Sequence, residues 1–118
     1  MPRSRSKWGR AVQVMRWLVD EFNLPKDLRM ELIDDIDDGE TFGQVVSRRG
    51  RLVVQLSRRA CKTMHDYVYT TIHEAAHVKT YRRRMKHDHD DPFWLIHGQM
   101  NHAYDEWGKD KSADYPAD

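Results

Sequence analysis

The chain has 118 residues, of which 39% are hydrophobic and 33% are charged, and its formal net charge is +1 at pH 7. A chain of this length can build one hydrophobic core but not two, so we expect a single domain with a strongly charged surface. One cysteine excludes a disulfide scaffold, no apolar run is long enough to span a membrane, and residues 1–7 lack the apolar segment of a secretory signal, so we expect a cytoplasmic protein without a membrane partner.

The N-terminal half is predicted to contain one helix and three strands. Residues 1–7 form a basic arm, after which apolar residues at helical spacing predict an amphipathic helix from Trp8 to about Asn23. We expect its apolar stripe to pack on a sheet, and a partner-binding face is the alternative. Alternating side chains predict strands over residues 28–32, 42–47 and 51–57, which would form an antiparallel meander.

The C-terminal half is predicted to contain two helices. The first begins near Ala60, and between Tyr67 and Val78 its only formally charged residue is Glu74, which indicates a buried central helix. Asp91 followed by Pro92 predicts the start of a last helix, which would run to about residue 107 and end at Gly108. The fold class is therefore α+β, with one domain over residues 8–108 and a polar tail over residues 109–118.

The central helix carries a His-Glu-x-x-His motif at residues 73–77. Two histidines four residues apart lie about 6 Å from each other on one helix face and can bind the same Zn²⁺ ion. Glu74, about 100° around the helix, could then act as the general base toward a zinc-bound water. The alternative is that His73 and His77 are core histidines bonded to the backbone, with Glu74 paired to one of them. Burying an unpaired carboxylate is costly, which favours the metal site.

A third ligand is expected from the downstream segment that precedes the last helix. His89 lies just before the Asp91-Pro92 helix start, where a short return of the chain can bring it to the metal. His87 is the alternative ligand in the same segment. The metzincin pattern is excluded, because Thr80 and Arg83 occupy the positions where that class carries glycine and histidine.

These residues resemble the SprT-like zinc metallopeptidases, over roughly residues 28–107. That family combines the helical motif with a downstream histidine, followed by a Phe-containing segment like Phe93-Trp94 here. The resemblance implies zinc ligation by His73, His77 and His89, with Glu74 as the general base. The chain departs from the family at Asp90, where glycine is usual, and it lacks the cysteines of the zinc ribbon that many relatives carry.

Further residues are candidates for supporting roles in such a site. An edge strand beside the catalytic helix usually binds the substrate, and residues 51–57 or the neighbouring strand would do so here. Candidates for orienting a ligand imidazole are Asp66, Asp105 and Glu106. Candidates for stabilising the oxyanion are His97, His102 and Tyr104.

The predicted function is zinc-dependent peptide hydrolysis, with a protein or peptide as the substrate. The alternative is a non-catalytic structural or interaction protein, for example a virion-associated component of a macromolecular assembly, that keeps zinc for stability. Such a structural site would be closed by a fourth ligand such as His87 or His97. Four Arg/Lys clusters suggest nucleic-acid binding as a further alternative, although a solvated surface is the favoured interpretation. The clusters are Arg3 to Arg10, Arg48 to Arg51, Arg58 with Arg59, and Arg82 to Lys86.

Overall fold

Three α-helices and one three-stranded sheet make up the described part of the protein, so the α+β class and the order of the elements are confirmed. The computed structural model describes residues 6–81 and 91–111, and for residues 108–111 the backbone alone. The elements in chain order are α1 (Lys7–Glu21), β1 (Arg29–Ile33), β2 (Gly43–Arg48), β3 (Arg51–Ser57), α2 (Met64–Lys79) and α3 (Asp91–Lys111). Within these described ranges, no helix combines the length and the apolar character that a transmembrane span requires.

Helix α1 begins where Ser6 caps it, with the Ser6 hydroxyl accepting a hydrogen bond from the Gly9 N–H at 2.8 Å. Of its predicted apolar stripe, Ala11, Met15 and Leu18 are buried, and the remaining members are partly buried; these are Trp8, Val12, Val19 and Phe22. The backbone of α1 lies closest to α2, and its buried apolar residues share one hydrophobic cluster with Val45, Val54 and Leu56 of the sheet. Periodicity identifies the apolar face of a helix but not the element that covers it.

The sheet is mixed, so the predicted antiparallel meander is wrong. Its strand order is β1-β3-β2, with β3 antiparallel to β2 and parallel to β1. The connection from β1 to β2 contains buried Ile36 and left-handed backbone at Asp37, Asp38 and Gly39. This connection leaves room for one strand between β1 and β2. The tight β2–β3 turn, which is left-handed at Arg49 and Gly50, then places β3 between them.

Helix α2 lies at the centre of the molecule, as predicted, and the sheet, α1 and α3 all pack against it. It begins at Met64 rather than near Ala60, because residues 58–60 form a turn and the irregular residues 61–63 lead into a capping box between Thr63 and Asp66. The Asp66 carboxylate accepts hydrogen bonds from the Lys62 and Thr63 N–H groups, at 2.9 and 3.1 Å. The hydrogen bond from Lys62, and to a smaller extent that from Thr63, lowers the pKa of the Asp66 carboxyl.

Helix α3 continues through Gly108 to Lys111, so the predicted end at Gly108 is wrong. A glycine is a good helix terminator but does not enforce one. The C-terminal half of α3 is joined to α1 by aromatic contacts. Trp107 stacks on Trp17 with ring centroids 4.9 Å apart, and the buried Arg10 guanidinium donates a hydrogen bond to the Tyr104 hydroxyl at 3.1 Å.

Candidate metal centre

His73 and His77 lie on consecutive turns of α2 and present their rings to the same space. Their ring centroids are 5.1 Å apart, and the ring planes are inclined by 75°. The Phe93 ring of α3 packs against both imidazoles, at centroid distances of 5.0 Å to His73 and 4.3 Å to His77. The two imidazoles are therefore held side by side, which is the arrangement that ligation of one ion by both requires.

Glu74 is buried between α2 and the sheet, with 5% of its surface exposed. Within residues 6–81 and 91–107, no group forms an ion pair or a hydrogen bond with its carboxylate. Burial alone therefore raises the pKa of Glu74 to about 8, because the charged form loses its hydration without a compensating partner. A cation bound by the neighbouring histidines would supply that compensation, which is the fit expected of a metal site.

Gly43, the first residue of β2, permits the close approach of the sheet to Glu74. A Cβ atom at this position would lie 2.6 Å from Thr70 Cγ2 and 3.2 Å from Glu74 Cγ. Any larger residue would therefore have to displace β2 or the two α2 side chains. The absence of a side chain at Gly43 thus sets the distance between the edge of the sheet and the candidate general base.

A cavity of about 710 Å³ lies between α2 and β2 and opens onto His73, Glu74 and His77. Its sheet side is built from residues 40–45. Of the two strands predicted as the substrate-binding edge, β3 cannot serve because both of its edges are already paired. Its neighbour β2 lines the cavity, and no strand of residues 6–81 or 91–111 pairs with the edge of β2 that faces away from β3.

His97 of α3 is the one oxyanion candidate that the described structure brings beside the histidine pair. Its ring centroid lies 5.2 Å from that of His73, and only 4% of its surface is exposed. His97 Nδ1 is 2.8 Å from the Asn101 amide nitrogen, a contact that fixes the ring orientation. His102 is exposed on α3, and Tyr104 belongs to the contact between α1 and α3.

The residues predicted to orient a ligand imidazole are placed elsewhere. The Asp66 carboxylate is engaged with the backbone N–H groups that precede α2, although its side chain lines the cavity. Asp105 and Glu106 are exposed on α3. Asn101, which sequence reasoning did not single out, is the described polar side chain that contacts an imidazole of this cluster.

The predicted third ligand, His89, and its alternative, His87, lie outside the described residues. Among the residues that are described, no set of three histidine, cysteine, aspartate or glutamate side chains is arranged to bind a metal ion. The described structure therefore supplies two imidazoles and an adjacent carboxylate. The assignment of His89 stays a prediction.

Tyr69 is a cavity residue that the sequence analysis missed. It lies one turn before His73 on α2, with ring centroids 6.1 Å apart, and its ring also contacts His97 at 5.4 Å. With 41% of its surface exposed, it is an aromatic residue open to solvent on a helix that is otherwise largely buried. Its position four residues before a proposed ligand was the signal that could have identified it.

Most arginines of the predicted basic clusters on the sheet are paired with carboxylates. Four ion pairs join this region to the acidic residues around β1: Arg48–Glu31 at 2.6 Å, Arg51–Asp27 at 3.9 Å, Arg58–Asp34 at 2.6 Å and Arg59–Asp35 at 3.0 Å. Arg10, from the first cluster, is buried. For these described arginines, the pairings favour a solvated surface over a phosphate-binding face. The cluster Arg82 to Lys86, with Arg3 and Arg5 of the first cluster, lies outside the described residues.

Comparison with known protein families, with curated proteins and with solved structures finds no match to this chain.

Proposed function

We propose that the protein is a zinc-dependent metallopeptidase of the SprT-like type. The observation that carries this proposal is the buried Glu74 carboxylate, which has no partner among the described residues. It adjoins two imidazoles whose centroids are 5.1 Å apart and lines an open cavity. A buried acid is costly to maintain unless a bound cation or a reaction uses it.

In this proposal His73, His77 and His89 would bind the zinc ion. When bound, zinc lowers the pKa of water and polarises a carbonyl group. Glu74 accepts a proton from the water that attacks the scissile carbonyl, and it then donates this proton to the departing amine. The position of Glu74 suits this cycle, because the bound cation would keep its buried carboxylate charged and therefore able to accept a proton.

The free edge of β2 supports an extended peptide as the substrate. The Phe42 carbonyl accepts a hydrogen bond from the Ser57 N–H at 2.9 Å, which makes this pair a hydrogen-bonded one in the antiparallel ladder. By alternation, the N–H and C=O groups of Gly43 and Val45 point away from β3, toward the unpaired side. A peptide paired with these groups would pass beside Glu74.

The test is hydrolysis of an unstructured protein substrate such as casein by the zinc-loaded protein. The wild type should cleave it, a chelator should abolish cleavage, and Glu74→Gln should reduce the rate by about 10²- to 10⁴-fold while zinc stays bound. Glu21→Gln, at an exposed site on α1, is the matched control and should cleave as the wild type does. Equal cleavage by Glu74→Gln and the wild type would reject the assigned role.

The buried third imidazole, His97, favours one alternative function. The ring centroids of His97 and His73 are 5.2 Å apart, but His73, His77 and His97 are not arranged as a ligand set in the described structure, so His97 would have to turn to become a fourth ligand. An ion enclosed in this way would serve only to hold α2 and α3 together. X-ray absorption of the zinc-loaded protein separates the two functions. The peptidase predicts three imidazole nitrogens and an oxygen, and a purely structural site predicts four nitrogens.

We further propose that the protein works in the cytoplasm. Its cysteine, Cys61, is a free thiol in the core, 3% exposed, and burial raises its pKa. A buried, protonated thiol of this kind suits a reducing compartment.

A further inference from the structure

Two exposed aromatic residues flank the cavity beside the candidate metal centre. Phe42, just before β2, and Tyr69, on α2, expose 44% and 41% of their surfaces, and both line the cavity. They come from the two elements that form its opposite sides. The other exposed large hydrophobic residues of the described ranges, Trp94 and Leu95, lie on α3.

Among the described residues that line the cavity, the formally charged side chains are of one sign. Glu40 and Asp66 line it together with Glu74, and none of the described residues that line it is a lysine or an arginine. Glu40 is exposed, so it can meet a charged group of a ligand without burying it. A cavity with acidic residues at its margin attracts a cationic ligand.

We propose that this cavity is a side-chain subsite that selects a bulky apolar residue next to a basic residue in an extended peptide. Phe42 and Tyr69 would enclose the apolar side chain, and Glu40 and Asp66 would attract the neighbouring basic one. The volume of about 710 Å³ is within the range of ligand-binding pockets and accommodates a leucine or phenylalanine side chain. The free edge of β2 supplies main-chain pairing for the peptide. The inference rests on the proposed function in taking a peptide as the ligand.

These features together indicate that the ligand of the cavity is a peptide. Aromatic walls alone would accept many apolar molecules. They do not account for the N–H and C=O groups of Gly43 and Val45 along the same cavity, which point away from β3 and pair with no strand of the described ranges. A peptide strand satisfies those groups, fills the space between the rings and brings a cation to the acidic margin. Main-chain pairing, apolar contact and charge attraction depend on different residues, so each of these three contributions can be changed separately.

The test is binding of fluorescein-labelled peptides to zinc-loaded Glu74→Gln, which holds the ligand without cleaving it. A Gly/Ser host peptide carries Phe, Leu or Ala at one central position, and Lys or Glu beside it. We expect the Phe and Leu peptides to bind about 10-fold more tightly than the Ala peptide, because burial of a large apolar side chain separates them. Lys should bind more tightly than Glu, and this difference should shrink as salt is raised.

Variants added to the Glu74→Gln background assign the preference to the two rings. Phe42→Ala and Tyr69→Ala should each bring the Phe-to-Ala affinity ratio close to one, whereas Tyr69→Phe should keep it, because the ring remains. Leu95→Ala, which removes an exposed apolar side chain on α3, is the matched control and should also keep the ratio. Affinities for the Phe and Ala peptides within twofold of each other, or a ratio unchanged by both alanine variants, would overturn the inference.

The subsite and the peptidase can fail independently. If Glu74→Gln binds the Phe peptide selectively but the wild type does not cleave it, the subsite stands and the peptidase is rejected. If the wild type cleaves Phe and Ala peptides with equal kcat/KM and binding shows no preference, the peptidase stands and the subsite is rejected.

Discussion

Glu74 is the residue at which stability and the proposed function conflict. In the absence of metal, the folded protein holds a proton on Glu74 up to a pH of about 8, whereas an exposed glutamate loses it near its ordinary pKa of 4.5. Between these values the unfolded chain binds fewer protons than the folded chain. The contribution of Glu74 to stability is therefore fully present below about pH 4.5 and is lost as the pH rises toward 8.

This difference predicts the pH dependence of the metal-free protein. Relative to Glu74→Gln, the free energy of unfolding of the wild type should fall by about 1.4 kcal/mol per pH unit within that window. Urea denaturation at several pH values between 5.5 and 8 measures it, and the subtraction cancels the histidines common to both proteins. Saturating zinc should flatten the difference, because a nearby cation favours the charged carboxylate. Parallel stability curves for the two metal-free proteins would contradict a buried, unpaired Glu74.

At the residue scale, the sequence revealed the histidine pair and Glu74 because their relation is local. Helical spacing alone places His73 and His77 on one face, and the lack of other charges on α2 indicates burial. The sequence does not predict Phe42 and Tyr69 as a pair, because only the docking of β2 on α2 brings both residues to the same cavity. Such contacts between distant segments leave no periodic signal in the sequence.

At the scale of elements, the docking of β2 on α2 depends on Gly43. Gly43→Ala should destabilise the protein by about 1–3 kcal/mol and slow peptide cleavage, because the new methyl group collides with Thr70 Cγ2. Adding Thr70→Ser removes that methyl of Thr70 and keeps its hydroxyl, so the double variant should recover at least half of both losses. Urea denaturation and the cleavage assay measure the two effects.

A second glycine provides the control for this prediction. A Cβ atom added at Gly98, on α3, would meet no neighbouring side chain within 4 Å, and Gly98→Ala should raise stability by about 0.5–1 kcal/mol through helix propensity. If Gly43→Ala behaved like Gly98→Ala, or if Thr70→Ser gave no recovery, the close approach of β2 to α2 would not be needed.

The bounds of the strands could be predicted from the sequence, but their order in the sheet could not. Alternation identified β3 with its full bounds and placed β1 and β2 to within one or two residues. It did not reveal that β3 lies between β1 and β2. Side-chain alternation indicates which residues share a face of the sheet, but it does not indicate which strands are neighbours. Because β3 lies between the other two strands, β2 is left as the candidate for a substrate-binding edge.

At the scale of the whole molecule, α1 and α3 are joined by a cluster of aromatic residues around Trp17. Its ring contacts those of Phe22, Tyr104 and Trp107, with centroids 4.9–6.5 Å away. Trp17→Ala should therefore lower the free energy of unfolding by about 2–4 kcal/mol. Leu95→Ala, at an exposed position, should change it by less than about 0.5 kcal/mol. Similar values for the two variants in urea denaturation would show that this cluster does not stabilise the fold.

The most direct test of the central claim is the zinc content of the purified protein after reconstitution and removal of unbound metal. The wild type should retain about one zinc ion per chain, and His73→Ala/His77→Ala should retain almost none. His89→Ala should bind zinc more weakly, whereas His102→Ala, which removes an exposed histidine, should bind it as the wild type does. A wild type that binds no zinc, or a double variant that keeps its full content, would contradict the proposed metal centre.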